Sequence, residues 1–318
     1  MSNPYIEVKG LKKYFPTPGG NLHAVDGLDF SVEKGKTIGV VGESGCGKST
    51  TGRLLSMLLA PTGGEILFEG QDLTKINRSK TKEYRKKIQM IFQDPFSSLN
   101  PRKTVYGAIA EAFDIHRMYP SRKEREKRVF ELMELVGLSE RFINAYPHEM
   151  DGGRRQRIGI ARALALNPEF IVCDEPVSAL DVSIQAQILN LLKRLQMQFG
   201  YTYMFITHDL SVVKHVSNNI IVMYLGQMVE MAPTKELFKN PKHPYTKALL
   251  SAIPVPNLKE KKDRIILKGE ITSPINPKNE CRFAPRCEYA AEACRKAVPP
   301  VTDLGEDHFI RCIRCNEI

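Results

Sequence analysis

The nine residues GESGCGKST, from Gly42 to Thr50, decide the fold of this chain. They fit the pattern G-x-x-x-x-G-K-[ST], follow the apolar strand pattern KTIGVV and precede a helical segment. In this context the glycines let successive backbone N–H groups turn inward around phosphate oxygens, and the helix N-terminus adds partial positive charge. We therefore expect a nucleotide loop to which every residue contributes: Gly42, Glu43, Ser44, Gly45, Cys46, Gly47, Lys48, Ser49 and Thr50.

A second strand pattern supplies carboxylates for the same chemistry. The stretch FIVCDE ends in Asp174 and Glu175 after four apolar residues. The carboxyl end of a buried strand is where α/β folds bind ligands. We expect Lys48 to reach the β- and γ-phosphates, Ser49 and Asp174 to hold Mg²⁺, and Glu175 to polarise the attacking water.

The order of patterns along the chain predicts an α/β fold. Short strand-like runs fill the first 93 residues, and residues 104–166 change to a helical pattern. A strand, a long amphipathic helix that Gly200 caps, another strand and two short strands around Gly226 follow. We expect a P-loop ATPase core with a mixed, largely parallel sheet and flanking helices, and a helical subdomain inserted at about residues 95–167.

The end of the chain has a different composition. After Pro254 the sequence becomes polar and proline-marked, which predicts a linker into a small Cys-rich extension. We therefore expect an ATPase domain over residues 1–253 and the extension over residues 254–318.

Composition limits the possible partners. The net charge is +10, and no apolar run approaches the roughly 20 residues that cross a bilayer. The N-terminus lacks a basic and apolar leader, so we expect a cytoplasmic location. The basic runs that begin at Arg78 and Ser121 also contain Glu, which is typical of solvated helix faces. We therefore expect no nucleic-acid partner.

Further motifs occur in a fixed order around the P-loop and the strand-end carboxylates. They are Gln93 in IFQDP, the stretch DGGRRQR from Asp151, SALD ending at Asp181, and ITHD with His208. With these motifs the chain resembles the ATP-binding subunits of ABC transporters, over about Phe15 to His208.

The resemblance implies a role for individual residues. It implies that ATP is the substrate, that Gln93 contacts Mg²⁺ and links the core to the helical insert, and that His208 contacts the γ-phosphate and Glu175. It also implies that Phe15 stacks on adenine, with neighbouring Tyr14 as the alternative, and that Asp181 faces a partner subunit.

Two longer stretches narrow the resemblance. QDPFSSLNPR and NPKHPYTKALLSAIP look like the oligopeptide/dipeptide importer branch, whose features nickel, glutathione and some oligosaccharide importers share. This implies a peripheral protein at the cytoplasmic face of the cell membrane, with a second ABC ATPase subunit, two membrane permease subunits and an extracytoplasmic substrate-binding protein.

Other classes of ABC protein fit the sequence less well. DNA-acting ABC ATPases generally carry a long coiled coil, and ribosome-acting ones carry two P-loops. Exporters usually fuse a membrane domain to the ATPase. This chain has one P-loop and about 60 residues between Gln93 and the DGGRRQR stretch.

The stretch DGGRRQR departs from the pattern of the family. There a serine usually precedes the glycine pair and a glutamine follows it, and the motif binds the γ-phosphate held by another chain. Here the four positions are Asp151, Gly152, Gly153 and Arg154. A carboxylate about 4 Å from a phosphate charge costs roughly 4 kcal/mol at an effective dielectric near 20.

Two local effects could offset or explain this carboxylate. Arg154, Arg155 or Arg157 could pair with it or bind phosphate, and Asp151 could simply N-cap the following helix. We expect an asymmetric heterodimer, in which this chain completes one hydrolytic site and weakens the reciprocal one.

Five of the seven cysteines lie in the extension, four of them with spacing C-x₅-C-x₆-C-x₁₇-C. Clustered cysteines in a cytosolic chain indicate metal before disulfide, and this spacing lacks the paired knuckles typical of zinc. The resemblance to importer ATPases with an iron–sulfur tail implies a [4Fe–4S] cluster on Cys281, Cys287, Cys294 and Cys312, with Cys315 as a substitute for Cys312. Zinc and unligated thiols are the alternatives.

Overall fold

The structure, a computed structural model, describes residues 4–253, 264–270 and 272–317. The chain forms two compact units. The first unit comprises Met1–Leu54, Leu58–Lys75 and Phe205–Ile318, and the second comprises Leu55–Met57 and Ile76–Met204. The predicted linker after Pro254 lies outside the described residues, so the boundary at 253/254 stays a prediction.

Strands and helices alternate along most of the chain. The strands are β1 Ile6–Thr17, β2 Gly20–Val32, β3 Thr37–Val41, β4 Gly63–Phe68, β5 Gln71–Asp72, β6 Ile88–Ile91, β7 Phe170–Asp174, β8 Thr202–Ile206, β9 Asn219–Tyr224, β10 Gln227–Pro233, β11 Thr302–Asp303 and β12 Phe309–Ile310. The α-helices are α1 Lys48–Leu55, α2 Arg78–Lys87, α3 Pro95–Ser98, α4 Val105–His116, α5 Arg122–Leu135, α6 Gly152–Leu164, α7 Val182–Phe199, α8 Leu210–Val216, α9 Thr234–Lys239 and α10 Pro244–Ser251.

The first unit contains an antiparallel sheet that the sequence patterns only partly predicted. Its strand order is β2-β1-β4-β5, and β1 pairs with β2 along almost its whole length. Shifts of register between Val8 and Leu11 interrupt the pairing, and Gly10 there has a φ of +52°. Each shift changes which residues face the core, so the apolar alternation of β1 is broken and the long hairpin is hard to recognise.

The predicted mixed sheet is confirmed. In the first unit β3 pairs parallel with β9, β9 pairs antiparallel with β10, and β10 continues to β12 and β11 of the extension. In the second unit β6 pairs parallel with β7. Strand β8 begins in the second unit, where the Thr202 N–H donates to the Glu169 carbonyl, and ends in the first, where the Thr207 N–H donates to the Val40 carbonyl.

The second unit contains the predicted helical segment as α3–α6. Buried apolar residues such as Phe113, Val129 and Ile158 pack α4, α5 and α6 together. Ser121 is the N-cap of α5 and forms a reciprocal capping box with Glu124. Both residues belong to the basic run that begins at Ser121. Gly200, with a φ of +72°, ends α7 as predicted.

Helix α2 carries the other basic run and has no buried residue, as expected for a solvated helix face. None of the helices in the described residues is long and apolar enough to cross a membrane.

Within the first unit, a buried carboxylate of β10 joins the extension to the segment before α10. Glu230 of β10 is fully buried and accepts hydrogen bonds from the backbone N–H groups of Lys242 and His243, at 2.7 and 3.0 Å. His308 of the extension lies 2.8 Å from the same carboxylate through Nε2. Three separate segments therefore depend on one side chain, because an unpaired buried carboxylate is costly.

His243 makes the stability of this region depend on pH. Its Nδ1 accepts from the Tyr245 N–H at 3.1 Å, and burial lowers its pKa from 6.5 to about 4, against the opposing charge of Glu230. As the pH falls below about 6.5, the unfolded chain binds a proton that the folded His243 does not bind until about pH 4. The free energy of unfolding should therefore fall through this window, by roughly 3 kcal/mol.

Substitution of His243 tests this expectation. Asn at position 243 keeps an N-cap acceptor for α10 but does not titrate, so His243→Asn should flatten the pH dependence of urea unfolding between about pH 6.5 and 4. His215→Asn, at an exposed position of α8, serves as the control. Equal slopes for His243→Asn and the unaltered protein would contradict the assignment to His243.

Candidate nucleotide site

The loop of residues 42–50 packs against two neighbouring backbones. Gly42 and Gly47 have φ values of +150° and +103°. A Cβ on Gly42 would lie 2.2 Å from the Met223 carbonyl oxygen, and a Cβ on Gly47 would lie 2.1 Å from that of Ala24. Only glycine fits at either position, so the predicted loop conformation has a packing reason as well as a ligand-binding one.

Lys48 begins α1 and is almost fully buried. Its ammonium group donates to the carbonyl oxygens of Gly42 and Glu43, at 2.8 and 3.0 Å. The cation is thus held across the mouth of the loop, at the N-terminus of a helix. A fixed ammonium and the partial positive charge of a helix N-terminus together favour an anion such as a phosphate.

The aromatic residues of β1 differ in their surroundings. Tyr14 stacks on His23, with ring centroids 3.9 Å apart, and its hydroxyl donates to Asp26. Burial and the Asp26 carboxylate raise the pKa of Tyr14 to about 12. Phe15 is partly exposed and has the Lys13 ammonium 5.1 Å from its ring centroid. Neighbouring strand residues face opposite sides, so the two rings are not equivalent, and the choice of Phe15 for adenine stays a prediction.

In the second unit, β7 delivers the two predicted carboxylates at its end. Asp174 is buried and closes a strand of five buried residues. Glu175 follows with a φ of +45°, an uncommon backbone conformation for glutamate that is often found at functional sites. The Gln93 amide donates to the Glu175 carboxylate at 2.9 Å, a contact that the sequence analysis did not predict.

The stretch DGGRRQR begins α6, and Asp151 is the N-cap of that helix. Its carboxylate accepts from the Arg154 N–H at 2.8 Å, and the Arg154 guanidinium lies 3.1 Å from its other oxygen. Both local effects expected for Asp151, the cap and the arginine partner, are therefore confirmed. Arg155 and Arg157 donate instead to the backbone carbonyls of Pro147 and Val136.

The glycine pair of this stretch also has a structural role. A Cβ on Gly153 would lie 2.7 Å from the Ile184 side chain, and one on Gly152 would lie 3.0 Å from Leu180. The small residues allow the start of α6 to approach the segment that leads into α7. The sequence analysis attributed the pair to phosphate binding alone.

Two further motif residues lie at the ends of secondary-structure elements. Asp181 N-caps α7 and accepts from the Ile184 N–H and the Ser183 hydroxyl, which hold its pKa below the ordinary value. His208 follows β8 and is exposed.

The predicted site residues are divided between the two units. The first unit holds Phe15, residues 42–50 and His208, and the second holds Gln93, residues 151–154, Asp174 and Glu175.

The four predicted cluster ligands line one small cavity of the extension. Cys281, Cys287, Cys294 and Cys312 surround a volume of about 20 Å³. Burial raises the pKa of Cys281, Cys287 and Cys312, so these thiols are neutral near pH 7. Cys315 is buried but does not line this cavity. Within the described residues, no three His, Cys, Asp or Glu side chains are grouped so that they could hold a metal ion.

The glycine-rich loop and the mixed sheet with its flanking helices are those of an ATP-binding cassette. A family profile described as "ABC transporter" matches residues 25–178, and one described as "Oligopeptide/dipeptide transporter, C-terminal region" matches residues 229–294. The chain belongs to the ATP-binding subunits of the ABC transporter family, in its oligopeptide/dipeptide branch, and is an ATPase.

Similar proteins support this assignment along almost the whole chain. The oligopeptide transport ATP-binding protein AppF of Bacillus subtilis is 53% identical, over 96% of this chain and 96% of its own. The dipeptide transport ATP-binding protein DppF of Haemophilus influenzae is 50% identical, over 98% and 97%.

Solved structures agree with the fold. The dimeric, post-hydrolysis structure of the ATP-binding cassette MJ0796, bound to ADP and Pi, is 30% identical, with a TM-score of 0.67, over 72% of this chain and 98% of that one. The structure of cbiO1 from Clostridium perfringens, part of the transporter complex cbiONQ, is 27% identical, with a TM-score of 0.66, over 75% and 92%.

Proposed function

We propose that this ATPase powers the uptake of dipeptides or oligopeptides through a membrane permease. The observation that carries the proposal is the match of residues 229–294 to the C-terminal region of oligopeptide/dipeptide transporters. The names of the relatives from Bacillus subtilis and Haemophilus influenzae point to the same class of ligand. Nickel, glutathione and oligosaccharides are the alternative ligands.

We assign the partners from the same branch. They are a second ABC ATPase subunit, two membrane permease subunits and an extracytoplasmic substrate-binding protein. The chain would then work as a peripheral protein at the cytoplasmic face of the cell membrane, without contact to nucleic acid.

The residues of the first unit would bind ATP. Residues 42–50 would surround the phosphates with backbone N–H groups, and Lys48 would exchange its contacts to the Gly42 and Glu43 carbonyls for phosphate oxygens. Phe15 would stack on adenine, with Tyr14 as the alternative. His208, which is exposed at the end of β8, would reach the γ-phosphate.

The residues of the second unit would support hydrolysis. Asp174 and Gln93 of this unit would hold Mg²⁺, and Ser49, which belongs to the first unit, would be a further ligand. When bound, Mg²⁺ supplies charge neutralisation for phosphoryl transfer. Glu175 would accept a proton from the attacking water. The hydrogen bond from Gln93 fixes the orientation of the Glu175 carboxylate and ties it to the segment that begins the helical insert.

Uptake by the assembled transporter tests the function. The chain should copurify with a permease and a binding protein that carries peptide, and vesicles containing the complex should take up that peptide when supplied with MgATP. Glu175→Gln should keep ATP binding and lower hydrolysis and uptake together, by about 10²- to 10⁴-fold.

The control variant for this experiment is Glu306→Gln, which changes an exposed glutamate of the extension. A metal ion or sugar in place of peptide would contradict the ligand class, and a nucleic acid in place of a permease would contradict transport.

We also propose that the ATP site to which Asp151 contributes is weakened. The N-cap bond and the Arg154 guanidinium each engage one oxygen of the Asp151 carboxylate, which reduces its repulsion of a γ-phosphate but leaves the side chain more than half exposed. The serine usual at this position offers a neutral hydroxyl, whereas Asp151 offers an acceptor. The working assembly would then be an asymmetric heterodimer.

Substitution of Asp151 tests the asymmetry. Asp151→Ser and Asp151→Asn both keep an N-cap and remove the charge, so each should raise ATP turnover of the assembled transporter, by roughly twofold if the second site becomes equally active. Asp114→Ser removes another exposed carboxylate of the same unit and should have no effect. Unchanged ATP turnover in both Asp151 variants would contradict the proposed asymmetry.

We further propose that the four cysteines of the extension hold a [4Fe–4S] cluster. In such a cluster each thiolate binds a different iron, so the sulfur atoms have to surround a cavity rather than meet at one point. Cys281, Cys287, Cys294 and Cys312 line one shared cavity, which supports this choice of donors. The cluster would staple a small segment that has little core of its own.

Anaerobic purification tests the cluster. The unaltered chain should contain about four irons and show a brown absorbance, and Cys294→Ser should lose both. Cys315→Ser changes a buried cysteine outside the cavity and should keep them. Zinc in place of iron, or no metal at all, would rule the cluster out.

A further inference from the structure

Two arginines of the extension contact the candidate nucleotide site. Arg282 follows Cys281 and Arg286 precedes Cys287, so both lie in the short segment between two of the cavity cysteines. Their side chains are 5% and 8% exposed. Buried arginines are rare unless they are paired, which makes their partners informative.

Arg286 holds the nucleotide loop. Its guanidinium makes two hydrogen bonds to the carboxylate of Glu43, at 2.7 and 3.1 Å. The backbone N–H of Glu43 donates to the Tyr245 hydroxyl at 2.9 Å, so this loop residue is fixed at both ends. Paired N–H···O bonds of this kind are strong and directional, and here they also neutralise an acidic group within a loop that binds anions.

Arg282 holds the strand that carries the aromatic residues. It donates to the Leu225 carbonyl and to the Asp26 carboxylate, and Asp26 in turn accepts from the Tyr14 hydroxyl. Burial of Asp26 opposes its ionisation, but Tyr14, His23 and Arg282 together keep its pKa below the ordinary value. The carboxylate is therefore charged and joins the extension to β1, next to the predicted adenine site.

The segment between the arginines is rigid. It forms a short 3₁₀ turn over Ala284–Arg286, and Phe283 is buried among Tyr224, Tyr245 and His243 with ring centroids 5.3 to 5.5 Å away. The two guanidinium groups are thus held at a fixed separation by a packed turn. A rigid support of this kind can set the position of the groups that it contacts.

We propose that the extension positions the nucleotide site, with Arg286 fixing the phosphate loop through Glu43 and Arg282 fixing the base-binding strand through Asp26 and Tyr14. These are positioning residues, since neither is assigned to touch ATP. The affinity for nucleotide then depends on the fold of the segment between Cys281 and Cys287.

Competition binding on the purified full-length chain tests the proposal. ATP and inorganic tripolyphosphate, each with Mg²⁺, would displace a fluorescent ATP analogue. Arg286→Met should lower the affinity for both competitors about tenfold, which corresponds to the loss of one strong charged contact. Arg282→Met should lower the affinity for ATP by a similar factor but leave that for tripolyphosphate unchanged, because Arg282 acts through Asp26 on the base-binding strand. Arg295→Met changes an exposed arginine of the same extension and should affect neither.

A second measurement distinguishes a positioning role from a purely structural one. Thermal unfolding without nucleotide reports the stability of each variant. Unchanged affinities in folded Arg286→Met, or equal losses in Arg295→Met, would overturn the role of Arg286. Equal losses of affinity for ATP and tripolyphosphate in Arg282→Met would overturn the assignment of Arg282 to the base-binding strand. Should Arg286→Met fail to fold, Arg286→Lys keeps the charge but not the paired geometry, and wild-type affinity in that variant would overturn the proposal.

Discussion

The close approach of backbones around residues 42–47 is the constraint on which the first unit depends. Gly42 meets the Met223 carbonyl of β9, Gly47 meets the Ala24 carbonyl of β2, and the Gly226 N–H donates to the Cys46 carbonyl. Because β2 and β9 belong to different sheets, the nucleotide loop contacts both. The conformation of this loop is therefore held by the packing of the fold.

The sequence predicted elements well where the local pattern and the packing agree. Buried strands such as β3 and β7, each with four apolar or small residues in a row, and α7 with its terminal Gly200 were recognisable from periodicity and caps. The β1–β2 hairpin was not, because its register shifts near Gly10 break the alternation. Pairing across a bulge depends on the partner strand, which the local sequence does not contain.

The candidate site shows the same division between local and distant information. The N-cap role of Asp151 and its pairing with Arg154 lie within four residues and could be expected from helix chemistry. The bonds from Gln93 to Glu175, Arg282 to Asp26 and Arg286 to Glu43 span 82, 256 and 243 positions. No motif records these pairs. The position of Arg282 and Arg286 next to cysteines of the extension was visible in the sequence, but it does not show which residues they contact.

Pairing of carboxylates with arginines connects these observations. Glu43, Asp26 and Asp151 would each oppose an anionic nucleotide if they were uncompensated, and each has a guanidinium partner within its own unit. The partners differ in burial: Arg282 and Arg286 are held by the packed extension, whereas Arg154 is exposed. Since screening and side-chain entropy weaken exposed pairs, neutralisation is firm at the loop and the base-binding strand and weak at the start of α6. The same chemistry would thus support a competent phosphate loop and a weakened DGGRRQR stretch in one chain.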